Sequence, residues 1–428
     1  MAMRRAVTGE VAGGGAGARV RTPLYTPAFL LLTLTVTISY LGVGFVLPLR
    51  ALYGEQIGAS SFEIGLMASV ALLTGFFAAP PIGALADRIG QRTVLWAGLL
   101  VHGLLVLAYI PVRDPWLLIG LRGLEGIAIV GILPPARALV NAIAPGDRQG
   151  EALGTLGSAQ MVGLMLGPAL GTLLASQVSY GAAFLIAAVP LFAGAGLARL
   201  YLPAGQPGIS VESRGSAAGA PAWRGLFTPR LTLAYALTAA LSLTTGVISA
   251  TWAIYMRLRG ASLPMIGLSY TTFAITALVL APIAGRVSDR RGRFWPLVAA
   301  FALYAALYCT YATPISAVWL IVISAVEGIS GAVARSAADG LLADVTPAAV
   351  RGRVQANYGA ASTGGAFLMA TLAGLLYGVS PGLPYLVVGV AFALGTLILV
   401  LPPVARLFPE RAVASPSLER ELESLERV

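Results

Sequence analysis

Long apolar runs alternate with short polar interruptions along the whole chain. A hydrocarbon core of about 30 Å needs roughly 20 apolar residues as helix. Runs of that length, punctuated by Gly, Pro and Arg, predict twelve spans. The first six cover 27–49, 62–85, 93–111, 115–140, 153–176 and 181–202. The second six cover 231–256, 264–286, 295–312, 314–340, 353–378 and 384–405. Asp114 before Pro115 and Thr313 before Pro314 predict helix caps. Trp116 and Trp295 lie near span ends, where indoles favour the water interface. This pattern predicts an all-α membrane protein. Its expected organisation is a disordered tail (1–26), a six-helix bundle (27–202), a linker rich in Pro, Gly, Ser and Ala (203–230), a second bundle (231–405) and a tail (406–428). Leu418, Leu422 and Leu425 predict a short amphipathic helix in the last segment.

Composition sharpens this picture. Hydrophobic residues make up 57% of the chain and charged residues only 11%, against about 25% charged in soluble domains. The net charge is +10, and every basic residue is arginine. Arg88, Arg92, Arg148, Arg214, Arg224, Arg230, Arg290, Arg291, Arg293, Arg351 and Arg353 follow the even-numbered spans. The opposite loops hold Arg50, Arg113, Arg257 and Arg259. Positive-inside bias therefore predicts an inner (plasma) membrane protein with both termini in the cytoplasm. Arginines clustered between apolar runs argue against a nucleic-acid partner. The lone Cys309 and lone His102 exclude an intramolecular disulfide and Cys- or His-rich metal sites. His102 is expected to be a packed neutral imidazole. The N-terminal stretch is not expected to be a signal peptide, because no small-residue cleavage site follows the first apolar run, which exceeds an h-region in length.

An internal repeat is visible. Gly83-Ala-Leu-Ala-Asp87-Arg88-Ile-Gly90-Gln-Arg92 matches Gly285-Arg-Val-Ser-Asp289-Arg290-Arg-Gly292-Arg293 at an offset of 202 (285 minus 83, 289 minus 87). Ile64-Gly65 with Ile266-Gly267, Glu125-Gly126 with Glu327-Gly328, Pro145 with Pro347 and Gly150 with Gly352 share that offset. One offset across five regions predicts a duplication. An even number of spans per copy predicts parallel repeats about a pseudo-two-fold axis along the membrane normal. On these residues the chain resembles the major facilitator superfamily. The Gly-x-x-x-Asp-Arg-x-Gly-x-Arg pattern resembles that family's loop between helices two and three, here present in both halves. The resemblance implies a secondary transporter working by alternating access, and its branch resembles the drug and metabolite:proton antiporters.

Asp87 and Asp289 end apolar helices. A carboxylate there can meet the positive N-terminus of a facing helix, while Arg88, Arg92, Arg290 or Arg293 meets an acid. Contacts of that kind between halves would form a gating latch, with Asp344 and Asp147 as partners. Gly83, Gly90, Gly285 and Gly292 are expected to permit tight turns and close approach. The resemblance implies that the latch stabilises the outward-facing state.

Arg122 and Glu125 lie on the fourth span, with Glu125 about 15 Å from Pro115 at 1.5 Å per residue. A charge at that depth costs roughly 2.5–3.5 kcal/mol, so it should face the interior. At spacing i, i+3 the two can pair. The pair serves either as a packing device or as a proton or substrate switch. Arg-x-x-Glu-Gly resembles the family's helix-four motif, where Gln more often stands at the position of Glu125. Glu327 is the repeat mate, with Ser324 in place of Arg122. Arg335 and Asp339, four apart, are expected to pair. Gly163, Gly167, Pro168 and Gly171 predict close packing on the fifth span and resemble the exporter motif of the first half. In the second half Gly365 matches Gly163, but Met369 replaces Gly167.

The resemblance also implies a central cavity. Tyr40, Gln160, Trp252, Tyr255, Tyr270, Asn357 and Tyr358 are its candidates. The first span carries Thr33, Thr35, Thr37, Ser39 and Tyr40 but no acid, so a neutral or amphipathic solute fits as well as a cation. The expected partners are a small-molecule substrate, protons and the lipid bilayer, with the chain a monomer and no cofactor or metal. A sugar or nutrient transporter of the same superfamily is the alternative. A membrane-embedded lipid-modifying enzyme would need clustered reactive carboxylates or histidines at an interface, and no such cluster is present. No P-loop and no repeated filter sequence occurs, which argues against an ATP-driven pump or a channel.

Overall fold

Apolar runs of this length have one way to satisfy their backbone in lipid, which is to form helix. The computed structural model describes residues 24–145, 148–203, 226–347 and 350–408. Asp147, most of the expected linker and tails, and the stretch holding Leu418, Leu422 and Leu425 lie outside the described residues. Among the described residues twelve helices are long and apolar enough to cross a membrane. In the first half they are α1 (Pro27–Gln56), α2 (Ser61–Ile89), α3 (Gln91–Ala108), α4 (Pro115–Ile143), α5 (Gln149–Gln177) and α6 (Tyr180–Tyr201). In the second they are α7 (Pro229–Leu258), α8 (Leu263–Arg291), α9 (Phe294–Tyr311), α10 (Ala317–Val345), α11 (Arg351–Val379) and α12 (Leu383–Val400). Several run past the apolar limits, because a polar end costs nothing once it reaches water.

Local chemistry sets the helix starts. Thr26 accepts from Phe29 N at 3.3 Å ahead of Pro27, and Thr228 accepts from Leu231 N at 3.4 Å ahead of Pro229. Asp114 caps α4 as expected, accepting from Trp116 N at 3.1 Å. Thr313 does not cap α10. That helix starts after Ser316, and the Thr313 hydroxyl instead donates to Thr310 O at 2.7 Å, closing the turn behind α9.

The duplication is written in the backbone. Among the described residues four glycines take positive φ, and they form two pairs at the same offset: Gly58 (89°) with Gly260 (81°), and Gly90 (92°) with Gly292 (85°). Gly90 and Gly292 therefore make the tight turns expected of them. Two helices deviate at one repeat position (250 minus 48). Helix α1 breaks between Val46 and Leu49 around Pro48, which lacks an N–H donor, and α7 becomes π-helical over Ile248–Trp252.

The halves meet at one end. A Cβ built on Gly65 of α2 would lie 2.7 Å from Gly374 Cα of α11. One built on Gly267 of α8 would lie 2.6 Å from Pro168 O of α5. The Thr271 hydroxyl of α8 donates to Met165 O of α5 at 2.6 Å, and Arg257 of α7 pairs with Glu55 of α1 at 3.4 Å. All of these lie toward the Gly58 end. Toward the Gly90 end, Gly83, Gly150, Gly154, Gly285, Gly352 and Gly359 have open space where a Cβ would point. Gly83 and Gly285 thus make no close approach in this conformation.

Candidate functional site

Glu125 of α4 is fully buried, and four side chains converge on it. Its Oε2 accepts from Arg122 Nη1 at 2.7 Å and from the Tyr109 hydroxyl. Its Oε1 accepts from Arg50 Nη2, and His102 Nε2 lies 3.2 Å away without the alignment of a hydrogen bond. The expected Arg122–Glu125 pair is therefore present, as half of a larger cluster. Gly126 lets α4 close onto Ala71 and Thr74 of α2, and the Thr74 hydroxyl donates to Gly123 O at 2.7 Å.

Arg50 corrects the sequence reading. It is not a loop charge facing water but a buried residue, because α1 stays helical beyond Pro48 and turns the side chain inward. His102 is packed, as expected, with Glu125 as its neighbour.

Glu327 of α10 is 4% exposed and occupies the same place in the second half. It accepts from the Tyr308 hydroxyl at 2.7 Å and from Tyr311 at 3.0 Å. Applying the offset to each partner of Glu125 shows what changed. Tyr109 becomes Tyr311, His102 becomes Tyr304, Arg122 becomes Ser324 and Arg50 becomes Trp252. Both arginines are gone, and no ion pair reaches Glu327 among the described residues.

Two cavity candidates belong to this aromatic packing instead of an opening. Trp252 is buried, donates from Nε1 to Ser269 Oγ at 2.9 Å and meets Tyr311 edge-on with ring centroids 4.9 Å apart. Tyr255 is fully buried, its hydroxyl donating to Tyr311 O at 2.5 Å and its ring 4.6 Å from that of Tyr385. Bulky rings with bonded polar tips fill the second half where the first half uses charge. Tyr40 is buried on α1, while Gln160, Tyr270, Asn357 and Tyr358 are half-buried on α5, α8 and α11. The hydroxyls Thr33, Thr35, Thr37 and Ser39 all donate to carbonyls four residues back in α1. Tyr358 donates to Asp339 at 2.7 Å and Arg335 reaches Thr245 Oγ1 at 3.4 Å, so Arg335 and Asp339 do not pair with each other.

The motif residues are split between roles. Gly163 and Gly167 each bring α5 onto α1, where a Cβ would lie 2.6 Å from Thr37 O and from Phe45 N respectively. Gly171 does the same against Phe45, and Pro168 meets Gly267 of the other half. In the latch, Asp87 accepts from Gln91 at 3.1 Å, Arg92 donates to Leu202 O at 2.8 Å, and Arg88 and Arg290 are exposed. Arg293 binds Asp289 at 2.5 Å and the expected Asp344 at 3.1 Å, all within the second half. The bonds of Asp87, Arg92 and Arg293 thus run inside a half, because the Gly90 end is open and the facing helices are out of reach.

A small cavity of about 30 Å³ lies between the halves. Arg50 and Arg122 line it from the first half, Ser249 from the π-helical turn of α7, and Ile64 and Met67 from α2.

Known proteins place this geometry. A variant of the nucleoside transporter NupG superposes with a TM-score of 0.73 at 15% identity, over 89% of this chain and 100% of that one. A bacterial homologue of the human lysosomal transporter Spinster, in an inward-facing and unoccupied conformation, gives 0.70 at 14% identity over 89% and 97%. These likenesses establish the fold. The multidrug resistance protein MdtG of Yersinia enterocolitica is 29% identical over 60% of this chain, and the match spans 64% of its own length. MdtG of Serratia proteamaculans is 28% identical over 58% of this chain and 62% of its length. The sequence profile of the Major Facilitator Superfamily matches residues 32–258 and 236–425. This chain, with its twelve membrane-spanning helices among the described residues, belongs to the Major Facilitator Superfamily.

Proposed function

We propose that the protein is a secondary active exporter that works by alternating access and couples outward movement of a small amphipathic solute to inward movement of protons. Glu327 is the proton carrier. Glu125, tied to Arg50 and Arg122, is the fixed counterpart in the other half. The observation that carries this reading is the contrast between the two repeat mates. A carboxyl held by two phenols and no cation can take and release a proton without breaking an ion pair, whereas one between two arginines cannot.

In this reading 27–202 and 231–405 are the rocking units, the chain is a monomer in the inner membrane, and both termini face the cytoplasm. The open Gly90 end then faces the cytoplasm, ready to receive solute. Closing that end would bring Asp87, Arg88, Asp289 and Arg290 to the facing half and form the latch. The packing of Gly163, Gly167, Pro168 and Gly171 keeps the Gly58 end sealed meanwhile. Tyr40, Gln160, Tyr270, Asn357 and Tyr358 sit on helices bordering the solute path. The name of the relative MdtG supports export of drug-like solutes.

The test is transport by proteoliposomes with an imposed proton gradient. Exporters accumulate solute in inside-out vesicles when the lumen is acid. Uptake in right-side-out vesicles, with none in inverted ones, would favour the alternative of sugar or nutrient import.

A further inference from the structure

Charge does not balance around Glu125. Arg50 and Arg122 contribute two positive charges that no accessible pH removes. Glu125 contributes at most one negative charge, and the Tyr109 hydroxyl and the His102 imidazole add no negative charge. Protonating Glu125 or His102 makes the cluster more positive still. No other carboxylate pairs with either arginine among the described residues. Both oxygens of Glu125 are already occupied, by Arg50 on one side and by Arg122 and Tyr109 on the other. One donor remains stranded, since Arg50 Nε is buried and has no partner. An uncompensated guanidinium in a low-dielectric interior is costly, and such a group calls for an anion.

The same two arginines line the cavity between the halves. Its lining also carries Ile64, Met67 and Ser249, whose hydroxyl donates to Gly246 O at 3.0 Å here and can turn to donate to an anion instead. A space of about 30 Å³ admits a head group of two or three heavy atoms, not a whole drug. The repeat mate of this place is filled by Trp252 and holds no charge, so the feature belongs to one half alone.

We propose that Arg50, Arg122 and Ser249 form a binding site for the carboxylate of the transported solute, with that head group alone inside the cavity and the apolar body extending out of it between the halves. The site takes organic monoanions in preference to neutral or cationic analogues of the same shape. This rests on the reading that solute passes between the halves, yet equilibrium binding to the purified chain needs no gradient. The two ideas can therefore fail separately.

The experiment is titration calorimetry on the full chain in detergent with 1-naphthylacetate, 1-naphthylacetamide and 1-naphthylmethylammonium. The acid is expected to bind at least tenfold more tightly than the amide, and the ammonium more weakly than either. Ser249→Asp places a carboxylate in the same cavity as the arginines and is expected to cost the acid its tenfold advantage while raising the melting temperature. Met67→Glu, from another helix of the same cavity, is expected to do likewise and serves if the first variant does not fold. Equal affinity for acid and amide on the parent chain overturns the proposal. So does a folded Ser249→Asp or Met67→Glu variant that keeps the preference. Sodium acetate binding as tightly as the naphthyl acid would assign the site to a free small anion and overturn it as well.

Discussion

Glu125 and Glu327 occupy one repeat position 202 residues apart, and among the described residues only Glu125 has arginines against it. Each carboxyl accepts from the equivalent tyrosine, Tyr109 or Tyr311. Duplication supplied two copies of a buried acid. Divergence then anchored one and left the other with hydroxyl donors alone.

Removing the anchored acid should damage the fold. Glu125→Gln leaves Arg50 and Arg122 buried with a neutral partner, and breaking one side of a buried ion pair costs about 3–5 kcal/mol. The expected result is a clear fall in the melting temperature of purified protein. Glu125→Asp, which keeps the charge, should recover part of it.

Glu327→Gln should behave in the opposite way. Glutamine keeps one oxygen to accept from one phenol, and its amide N–H can donate to the oxygen of the other once that hydroxyl turns, so the loss should stay within about 1.5 kcal/mol. Proton-driven transport in proteoliposomes should disappear, while exchange of solute down its own gradient persists. A variant that still concentrates solute against its gradient would remove Glu327 from coupling.

Crowding the closed end should hold it open. Gly65→Val puts side-chain atoms where the backbone of Gly374 now lies, and overpacking of this kind costs about 1–3 kcal/mol. In a Cys309→Ala background, a cysteine at Ser61 should then react faster with a membrane-impermeant maleimide than in the parent.

Asp87→Asn should slow turnover severalfold and leave the melting temperature nearly unchanged. Among the described residues Asp87 accepts from Gln91 alone, at an exposed position, so little is lost from this state. The deficit should appear as a slower return from the opposite state, seen in stopped-flow transport.

Much of this was legible in the sequence. Twelve spans follow from apolar length, and the duplication follows from an offset that needs only subtraction. The pairing of Arg122 with Glu125 follows from helical spacing. Arg50 escaped because it stands where a span meets a loop, and hydropathy cannot say whether the helix continues past Pro48. Tyr109 carried a signal that went unread, since it aligns with Tyr311 at the offset that aligns Glu125 with Glu327. The arrangement of the latch was not legible, because the motif is compatible with either gate state. Nor was the burial of Trp252 and Tyr255, which depends on rings from α9 and α12 that converge only in three dimensions.

The contact of Gly65 with Gly374 has a mechanical meaning. Two main chains touch there without interlocking knobs, so neither surface has a ridge that must climb out of a groove before motion begins. Such a seam can part by tilting alone. It behaves as a smooth bearing whose resistance comes from contact area, and a single added methyl group on either side would roughen it.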